Sequence, residues 1–159
     1  MKPTSIAGIV GSIVVALTSS APVNAHIHPT GPPTLDTAYI LYHVKDDDKD
    51  NDSYESVVIT VGQYKVGTLT NAGAGTVWKD QTDIAPLYLD NVDKGIEPSD
   101  CGSIHVDMNH STNGDDNFKF SYTVVLNFTD GTSFTYQHPA KETLTKDDGH
   151  KAFDDTKSN

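Results

Sequence analysis

The fold is decided by residues 118–138, which read FKFSYTVVLNFTDGTSFTYQH. From Phe118 to Phe128 every second residue is apolar, the pattern of a long β-strand with one buried face. A two-residue turn at Asp130-Gly131 would place Phe134 on the polar face. A three-residue loop, 129–131, with Gly131 in the left-handed conformation, keeps the apolar faces together. This loop predicts the cross-strand pairs Leu126 with Phe134, Val124 with Tyr136 and Tyr122 with His138.

Shorter alternating stretches on the amino-terminal side predict further strands. Residues 55–70 fit one bent strand or two strands, with a bend or bulge at Gly62. We find no amphipathic helical pattern and no internal repeat. The sequence therefore predicts an all-β fold, an antiparallel β-sandwich of about seven or eight strands, with a partly open β-barrel as the alternative. The other predicted strands are 37–45, 76–79, 87–89 and 103–109.

The amino terminus has the pattern of a secretory signal peptide, residues 1–25. Lys2 precedes the apolar run 6–17, and small residues follow up to Ala25. The run is shorter than the roughly 20 apolar residues that span a bilayer, so we predict a cleaved signal and no membrane span. Cleavage after Ala25 makes His26 the first residue, and cleavage after Ala21 is the alternative. We then expect a Pro-rich arm over 26–36, one β-sandwich domain over 37–139 and a charged, disordered tail over 140–159.

The charge balance is strongly acidic. Lysine and arginine number 11 against 22 Asp and Glu, and the formal net charge is −11. The sequence contains no arginine, so nucleic acid and anionic lipid surfaces are poor partners. Cys101 is the only cysteine, which excludes an internal disulfide. It is either a buried small apolar residue or the bridge of a Cys101-linked dimer.

Three sequons predict N-glycosylation at Asn51, Asn109 and Asn127. Asn127 falls on the polar side of the long predicted strand, and Asn109 on the polar side of 103–109. The sequence predicts that these acceptors share one face, which is then free of packed contacts.

The predicted mature end, His26-Ile27-His28, offers ligands for copper. The His26 amine, two backbone amides and the His28 imidazole supply the square-planar nitrogen set that Cu(II) and Ni(II) favour. This tripeptide resembles the amino-terminal copper and nickel binding motif of secreted proteins and peptides. The resemblance implies a metal site at His26 and His28.

His26 also resembles the amino-terminal histidine of the copper-dependent lytic polysaccharide monooxygenases and of related secreted copper proteins. That resemblance implies a β-sandwich in which the amine and ring of His26 bind copper and a second histidine completes the site. This chain departs from the family in its short length, its single cysteine and the lack of a recognisable row of surface aromatic residues. The candidates for the second histidine are His43, His105, His110 and His138.

The acidic run 46–53 carries alternating aspartates that suggest calcium. A helix-flanked calcium loop needs glycine at its sixth position and glutamate at its twelfth. Started at Asp46, the run places Asn51 and Val57 there, so a standard loop is excluded. A looser calcium site at the sandwich edge or a solvated loop remain as alternatives. The calcium candidates are Asp46, Asp48 and Asp50.

Known catalytic motifs are missing from the sequence, including the Gly-x-Ser-x-Gly elbow, the phosphate loop and His-Glu-x-x-His. His105 and Asp107 share a strand face, either to touch one ligand or as its solvated side. We therefore expect a secreted protein that acts by binding a carbohydrate, a protein or a host component. The predicted recognition loops are 46–53, 71–75 and 91–100. The alternative function is a secreted copper protein that uses His26, with or without oxidative activity.

Overall fold

The computed structural model describes residues 31–158, which form two packed four-stranded antiparallel sheets. The first sheet has the order β4-β1-β6-β7 and the second β3-β2-β5-β8. The sheets do not close into a barrel, so the predicted antiparallel β-sandwich of about seven or eight strands is confirmed, and it has eight. The strands are β1 Leu35–Val44, β2 Ser53–Val61, β3 Tyr64–Ala72, β4 Leu87–Tyr88, β5 Ser103–Thr112, β6 Asn117–Phe128, β7 Ser133–Thr145 and β8 His150–Thr156, with a short 3-10 helix at Pro98–Asp100.

The β6–β7 hairpin has the predicted register. Gly131 has a φ of 87°, and its amide donates to the Phe128 carbonyl at 3.0 Å. The three-residue loop therefore turns the chain without moving either apolar face. The observed pairs include Leu126 with Phe134, Val124 with Tyr136 and Tyr122 with His138.

The core lies between the two sheets, and β6 supplies four of its aromatic side chains, those of Phe118, Phe120, Tyr122 and Phe128. Phe118 and Phe120 are fully buried, and their rings stack with centroids 4.7 Å apart. Tyr42 of β1 packs edge-on against both rings. Burying these apolar faces is the main source of stability. The second sheet closes the core with the buried residues Val57, Ile59, Val106 and Met108.

Residues 55–70 form two strands rather than one bent strand. β2 and β3 pair at Val61 and Tyr64, so Gly62 and Gln63 form the turn between them. Gly62 has a φ of 53°, a left-handed value that suits glycine. The strand predicted at 76–79 is reduced to one isolated bridge between Trp78 and Lys49.

The disordered tail predicted for 140–159 is wrong for the described residues. β7 continues to Thr145, and β8 pairs with β5 along seven residues. The sequence of β8 lacks the apolar alternation of a half-buried strand, because one of its inward-facing residues is the acidic Asp155. Its carboxylate accepts hydrogen bonds from the Tyr122 hydroxyl at 2.5 Å and pairs with His138 Nδ1 at 2.9 Å. Tertiary partners therefore replace the apolar alternation.

The connections between strands gather at the two ends of the sandwich. Loops 46–53 and 71–75 meet at one end, where the Gly75 amide donates to the Asn51 carbonyl at 3.0 Å. Loop 91–100 lies at the other end, because Leu35 donates to the Ile96 carbonyl at the start of β1. The three predicted recognition loops therefore do not form one surface. Within 31–158, no helix has the length and apolarity needed to cross a membrane.

Candidate functional site

The outer face of the first sheet carries two clefts, one near each end of β1, with the outward-facing residues of that strand between them. Successive strand residues point to opposite faces, so the residues between the core positions of β1 point outward. β4 and β6 flank β1 on its two sides. We call this surface the β1 groove, and it consists of Thr37, Tyr39, Leu41, His43, Tyr88, Ser121 and Thr123 with the clefts at its two ends.

An aromatic pair lies in the middle of the β1 groove. Tyr39 and Tyr88 are cross-strand partners, and their ring centroids are 5.3 Å apart at an angle of 58°. Tyr88 is 60% exposed, against 43% for Tyr64 and 38% for Val77, the other exposed large hydrophobic residues of the described chain. The pair therefore presents aromatic surface to solvent.

One end of the groove is a cleft of about 310 Å³. His43 Nδ1 and Asp83 Oδ1 are 2.5 Å apart in its wall. Asp83 is held there because Ile84 donates to the Tyr42 carbonyl of β1, and its own side chain is 86% exposed. Ser121, the cross-strand partner of His43, is 8% exposed and lines the cleft.

A histidine that a carboxylate orients beside a serine suggests nucleophilic catalysis. Within residues 31–158, however, no hydrogen bond joins the side chains of His43 and Ser121, and the His43 imidazole bonds only to Asp83. The nucleophile and its base are therefore not coupled in this structure. The imidazole, carboxylate and hydroxyl groups remain available to hydrogen-bond a ligand.

The other end of the groove is a second cleft, of about 330 Å³. Asp36 and Lys94 face each other there with Oδ1 and Nζ 3.3 Å apart. Asp90 is exposed and also lines this cleft, beside Tyr88. The β1 groove thus has a neutral aromatic middle and a polar, acidic cleft at each end.

A buried polar cluster lies beneath the loops at one end of the sandwich. The Lys49 ammonium is fully buried and lies 5.0 Å from the centroid of the Trp78 ring. Its Nζ contacts four backbone carbonyls at 2.8 to 3.0 Å, which ties loop 46–53 to loop 71–75. The four carbonyls belong to Asp50, Ser53, Gly73 and Thr76.

Two buried acids and a histidine complete this cluster. His110 Nδ1 and Glu55 Oε1 are 2.7 Å apart, and Asp116 Oδ2 accepts from the Ser53 hydroxyl at 2.5 Å. Glu55 Oε2 and His110 Nε2 are buried without a hydrogen-bond partner in the described chain. Because all of these side chains are closed off from solvent, the cluster holds the loops together rather than offering a ligand site.

The environment shifts the pKa of both members of the His110–Glu55 pair upward. Burial alone would lower the pKa of His110, but the hydrogen bond and charge of Glu55, with the charge of Asp116, raise it above its ordinary value. Burial raises the pKa of Glu55 against the opposing effect of His110. The folded protein therefore holds protons at this pair more tightly than the unfolded chain.

The three calcium candidates face different partners. Asp46 pairs with Lys141 at 2.8 Å, and Asp48 with Lys79 at 3.2 Å. Asp50 is exposed. Across residues 31–158 no group of three or more His, Cys, Asp or Glu side chains is arranged to hold a metal ion. The positive charge inside this loop comes from Lys49.

The predicted copper ligands His26 and His28 lie outside the described residues, so copper binding there remains a prediction. Each of the four candidate second histidines is already paired with a carboxylate, and the four pairs are His43 with Asp83, His105 with Asp154, His110 with Glu55 and His138 with Asp155. His105 and Asp107 do not share a partner, because Asp107 pairs with His150 at 3.2 Å.

The three sequons do not share one face. Asn51 is in an exposed turn, Asn109 is exposed on β5 of the second sheet, and Asn127 is half-buried on β6 of the first. The Asn127 amide donates to Thr37 Oγ1 at 3.0 Å. The prediction of one glycosylated face is therefore wrong, while glycosylation itself remains a prediction.

Cys101 is buried, with 1% of its surface exposed. Its Sγ lies 3.5 Å from the Glu97 carbonyl, and its own carbonyl accepts from the Tyr136 hydroxyl at 2.8 Å. Of the two alternatives that the sequence left open for Cys101, the structure shows the buried small apolar residue. A disulfide to a second chain would require this region to open.

Sequence reasoning missed the β1 groove. Tyr39 lay on the outward side of a predicted strand, which was a usable signal, but nothing in the sequence brings it to Tyr88. Asp83 was not singled out because it lies in a connection with no pattern. The pairing of β1 with β4 and with the segment around Asp83 assembles the groove.

Fold and groove together define a two-sheet antiparallel sandwich with a candidate binding face on one sheet. Comparison with family models, curated proteins and solved structures found no match for this chain. The function is therefore argued from the groove itself.

Proposed function

We propose that this is a secreted carbohydrate-binding protein whose ligand lies in the β1 groove. The observation that carries the proposal is the Tyr39–Tyr88 pair, with Tyr88 60% exposed between two polar clefts. A sugar ring has an apolar face of C–H groups and an edge of hydroxyl groups. An aromatic ring beside hydrogen-bonding side chains complements both.

The polar residues around the aromatic pair suit sugar hydroxyls. Asp83 and His43 offer an acceptor and a ring nitrogen, and Ser121 and Thr123 add hydroxyl groups that both donate and accept. Along β1, the span from Thr37 to His43 is about 20 Å at about 3.3 Å per residue. This length favours an oligosaccharide or a polysaccharide chain over a single sugar.

A protein partner fits the groove less well. Stable protein interfaces have a desolvated apolar centre enriched in aromatic residues. The exposed large apolar residues of the described chain are scattered, with Tyr64 on β3, Val77 in a loop and Tyr88 on β4. One exposed aromatic pair flanked by carboxylates and hydroxyls is closer to a sugar site than to a protein-docking patch.

The amino-terminal sequence supports an extracellular role. Residues 1–25 have the charge, apolar run and small-residue pattern of a secretory signal. A secreted protein meets polysaccharides in cell walls and extracellular matrices. Binding rather than turnover is supported by the uncoupled Ser121 and His43.

A glycan array with correctly processed protein tests the proposal, followed by calorimetry on any ligand found. Removing the exposed ring in Tyr88→Ala is expected to weaken binding about 5-fold or more, because stacked aromatic contacts supply about 1 kcal/mol or more. Tyr64→Ala is the matched control, since Tyr64 is a 43% exposed tyrosine on the other sheet. Absence of glycan binding, or equal binding by the two variants, would exclude the β1 groove as a carbohydrate site.

A further inference from the structure

We propose that the carbohydrate bound in the β1 groove carries free amino groups, and that Asp83 and Asp90 hold its ammonium groups at the two ends. This inference rests on the proposed function and adds the chemical class of the ligand. It follows from where the groove is charged and from which of its carboxylates have no lysine partner.

Asp83 provides an uncompensated negative charge in the first cleft. Its side chain is 86% exposed, and its only charged partner in the described chain is His43. The His43 imidazole fixes the position of the carboxylate, and no lysine is in salt-bridge contact with it in the described chain. Ser121 also lines this cleft and is almost buried. Its hydroxyl oxygen can accept a hydrogen bond from a donor bound in the cleft.

The second cleft contains three charged side chains, and the opposite charges of two of them, Asp36 and Lys94, cancel. Asp36 pairs with Lys94 at 3.3 Å, and this leaves the carboxylate of Asp90 without a cationic side chain in salt-bridge contact in the described chain. Between the two clefts the groove is neutral, with Tyr39 and its cross-strand partner Val125 at its floor. A ligand along the groove therefore meets one net negative charge at each end.

Elsewhere on the described surface, some carboxylates are paired with lysines. These ion pairs are Lys79–Asp48, Lys119–Asp47, Lys141–Asp46, Lys146–Asp115 and Lys151–Glu142. Other exposed carboxylates, such as Asp80, Asp130 and Asp147, have no lysine in salt-bridge contact within residues 31–158. Asp83 and Asp90 differ from these in their position at the two ends of the β1 groove, beside the aromatic pair. The formal net charge of −11 for the whole chain further attracts cationic ligands and repels acidic sugars.

A protonated sugar amine fits this arrangement better than a neutral substituent. An ammonium group donates three hydrogen bonds and carries a positive charge that attracts the carboxylate, whereas a hydroxyl or amide donor brings no charge of its own. An acetamido group or a hydroxyl at the same carbon keeps the ring face for Tyr88 but loses the charge. The aromatic pair would then stack on the sugar ring, and the carboxylates would select the form that carries the amine.

The test compares three β-1,4-linked hexasaccharides that differ only in the group on carbon 2, namely a free amine, an acetamide and a hydroxyl. Calorimetry is done at about pH 7, because acidic buffer would protonate an imidazole beside a carboxylate and cancel its charge, whereas neighbouring carboxylates favour the charged form of the bound amine. The amine form is expected to bind at least about 10-fold more tightly than the other two. Its advantage should shrink when salt rises from about 50 mM to about 500 mM, because these exposed charges are screened.

Charge-neutral variants locate the effect. Asp83→Asn and Asp90→Asn should each weaken binding of the amine form several-fold and weaken the hydroxyl form much less, because the asparagine side chain loses the charge but keeps an oxygen that accepts a hydrogen bond. Asp154→Asn is the matched control, because Asp154 is 84% exposed and pairs with His105 at 2.8 Å on the other sheet. Circular dichroism of each variant verifies that the fold is intact.

The outcomes separate this inference from the proposed function. Equal binding of the three hexasaccharides, lost in Tyr88→Ala, would keep the carbohydrate site and overturn the selection for amines. Binding of none of them, together with a negative array, would overturn both. If hexalysine binds as tightly as the amine form, or if Asp154→Asn weakens binding as much as Asp83→Asn, the attraction is a general effect of charge and the inference fails.

Discussion

At the scale of single residues, Lys49 explains how an acidic loop becomes ordered. Its ammonium is surrounded by four carbonyls from two loops and lies near Glu55 and Asp116. Burial lowers the pKa of Lys49, and the neighbouring acids oppose that effect. The alternating aspartates suggested a calcium ion bound from solution. In the structure, the Lys49 ammonium supplies the positive charge instead.

Replacing Lys49 should be strongly destabilising. Lys49→Met leaves four carbonyls without their donor and removes the charge that balances Glu55 and Asp116. We expect a loss of about 3 to 5 kcal/mol in the free energy of unfolding, as for other buried pairs that lose one partner. Urea titration followed by circular dichroism measures it. The control Lys79→Met, at a 70% exposed side chain, should change the free energy by about 0.5 kcal/mol or less.

The His110–Glu55 pair predicts how stability depends on pH. Because the pKa of His110 is raised in the folded state, its contribution is complete below the ordinary value of 6.5 and is lost as pH rises through the folded value. The raised pKa of Glu55 acts in the same direction from its ordinary value of 4.5 upward. Stability should therefore fall from mildly acidic to alkaline pH.

Denaturant titrations at pH about 6 and about 9 measure this dependence. Because both pKa values of the buried pair are raised on folding, we expect lower stability at the higher pH. The double variant Glu55→Gln/His110→Gln keeps polar side chains but no titrating group, so its stability should vary less with pH. His105→Gln serves as the control, because His105 is exposed on the outer face of the second sheet. A slope that is equal in all three proteins would show that the buried pair is not its source.

At the scale of elements, the β6–β7 hairpin depends on the backbone of its loop. Gly131 has a φ of 87°, and an added Cβ there would meet no atom within 4 Å. Gly131→Ala therefore tests backbone strain alone, and we expect a loss of about 1 kcal/mol. Gly102→Ala is the matched control, since Gly102 also has open space but no positive φ. Thermal unfolding of both variants would show the difference, and equal melting temperatures would contradict it.

The second element with a clear consequence is β8. It covers the edge of β5 and supplies Asp155 to the Tyr122 hydroxyl and to His138. A chain truncated after Gly149 should expose the β5 edge and fail to fold, because a bare edge strand and an opened core favour aggregation. Truncation after Thr156 should leave a folded protein. Soluble yield and circular dichroism distinguish the two, and a folded short chain would mean that β8 is dispensable.

At the scale of the whole molecule, stability rests on packing between the sheets, since the single cysteine cannot form an internal disulfide. Cys101 reports on that packing because it is 1% exposed and burial raises the pKa of its thiol to about 11. We expect no reaction with a thiol reagent in the native protein and complete reaction in urea. Rapid native labelling, or a dimer that reducing agent dissociates, would show that this region opens or is paired between chains.

The sequence by itself determined the class of fold and the central hairpin. Alternation from Phe118 to Phe128, with one loop length that keeps Phe134 on the same face, fixes both strands and their register. Side chains alternate between the two faces of a strand, so a shift of one residue in the pairing would turn the apolar face to solvent. Only one pairing buries every apolar side chain. The same local rule failed for β8, where Asp155 points inward.

Only the tertiary structure decided where a ligand can bind. Tyr39, Asp83 and Tyr88 belong to different segments, and no local pattern predicts that β4 and the segment around Asp83 pair with β1. The same holds for Lys49, which a charge pattern places in solvent and the fold places among carbonyls. Local sequence sets which face of a strand is buried, whereas long-range pairing sets which outward faces become neighbours.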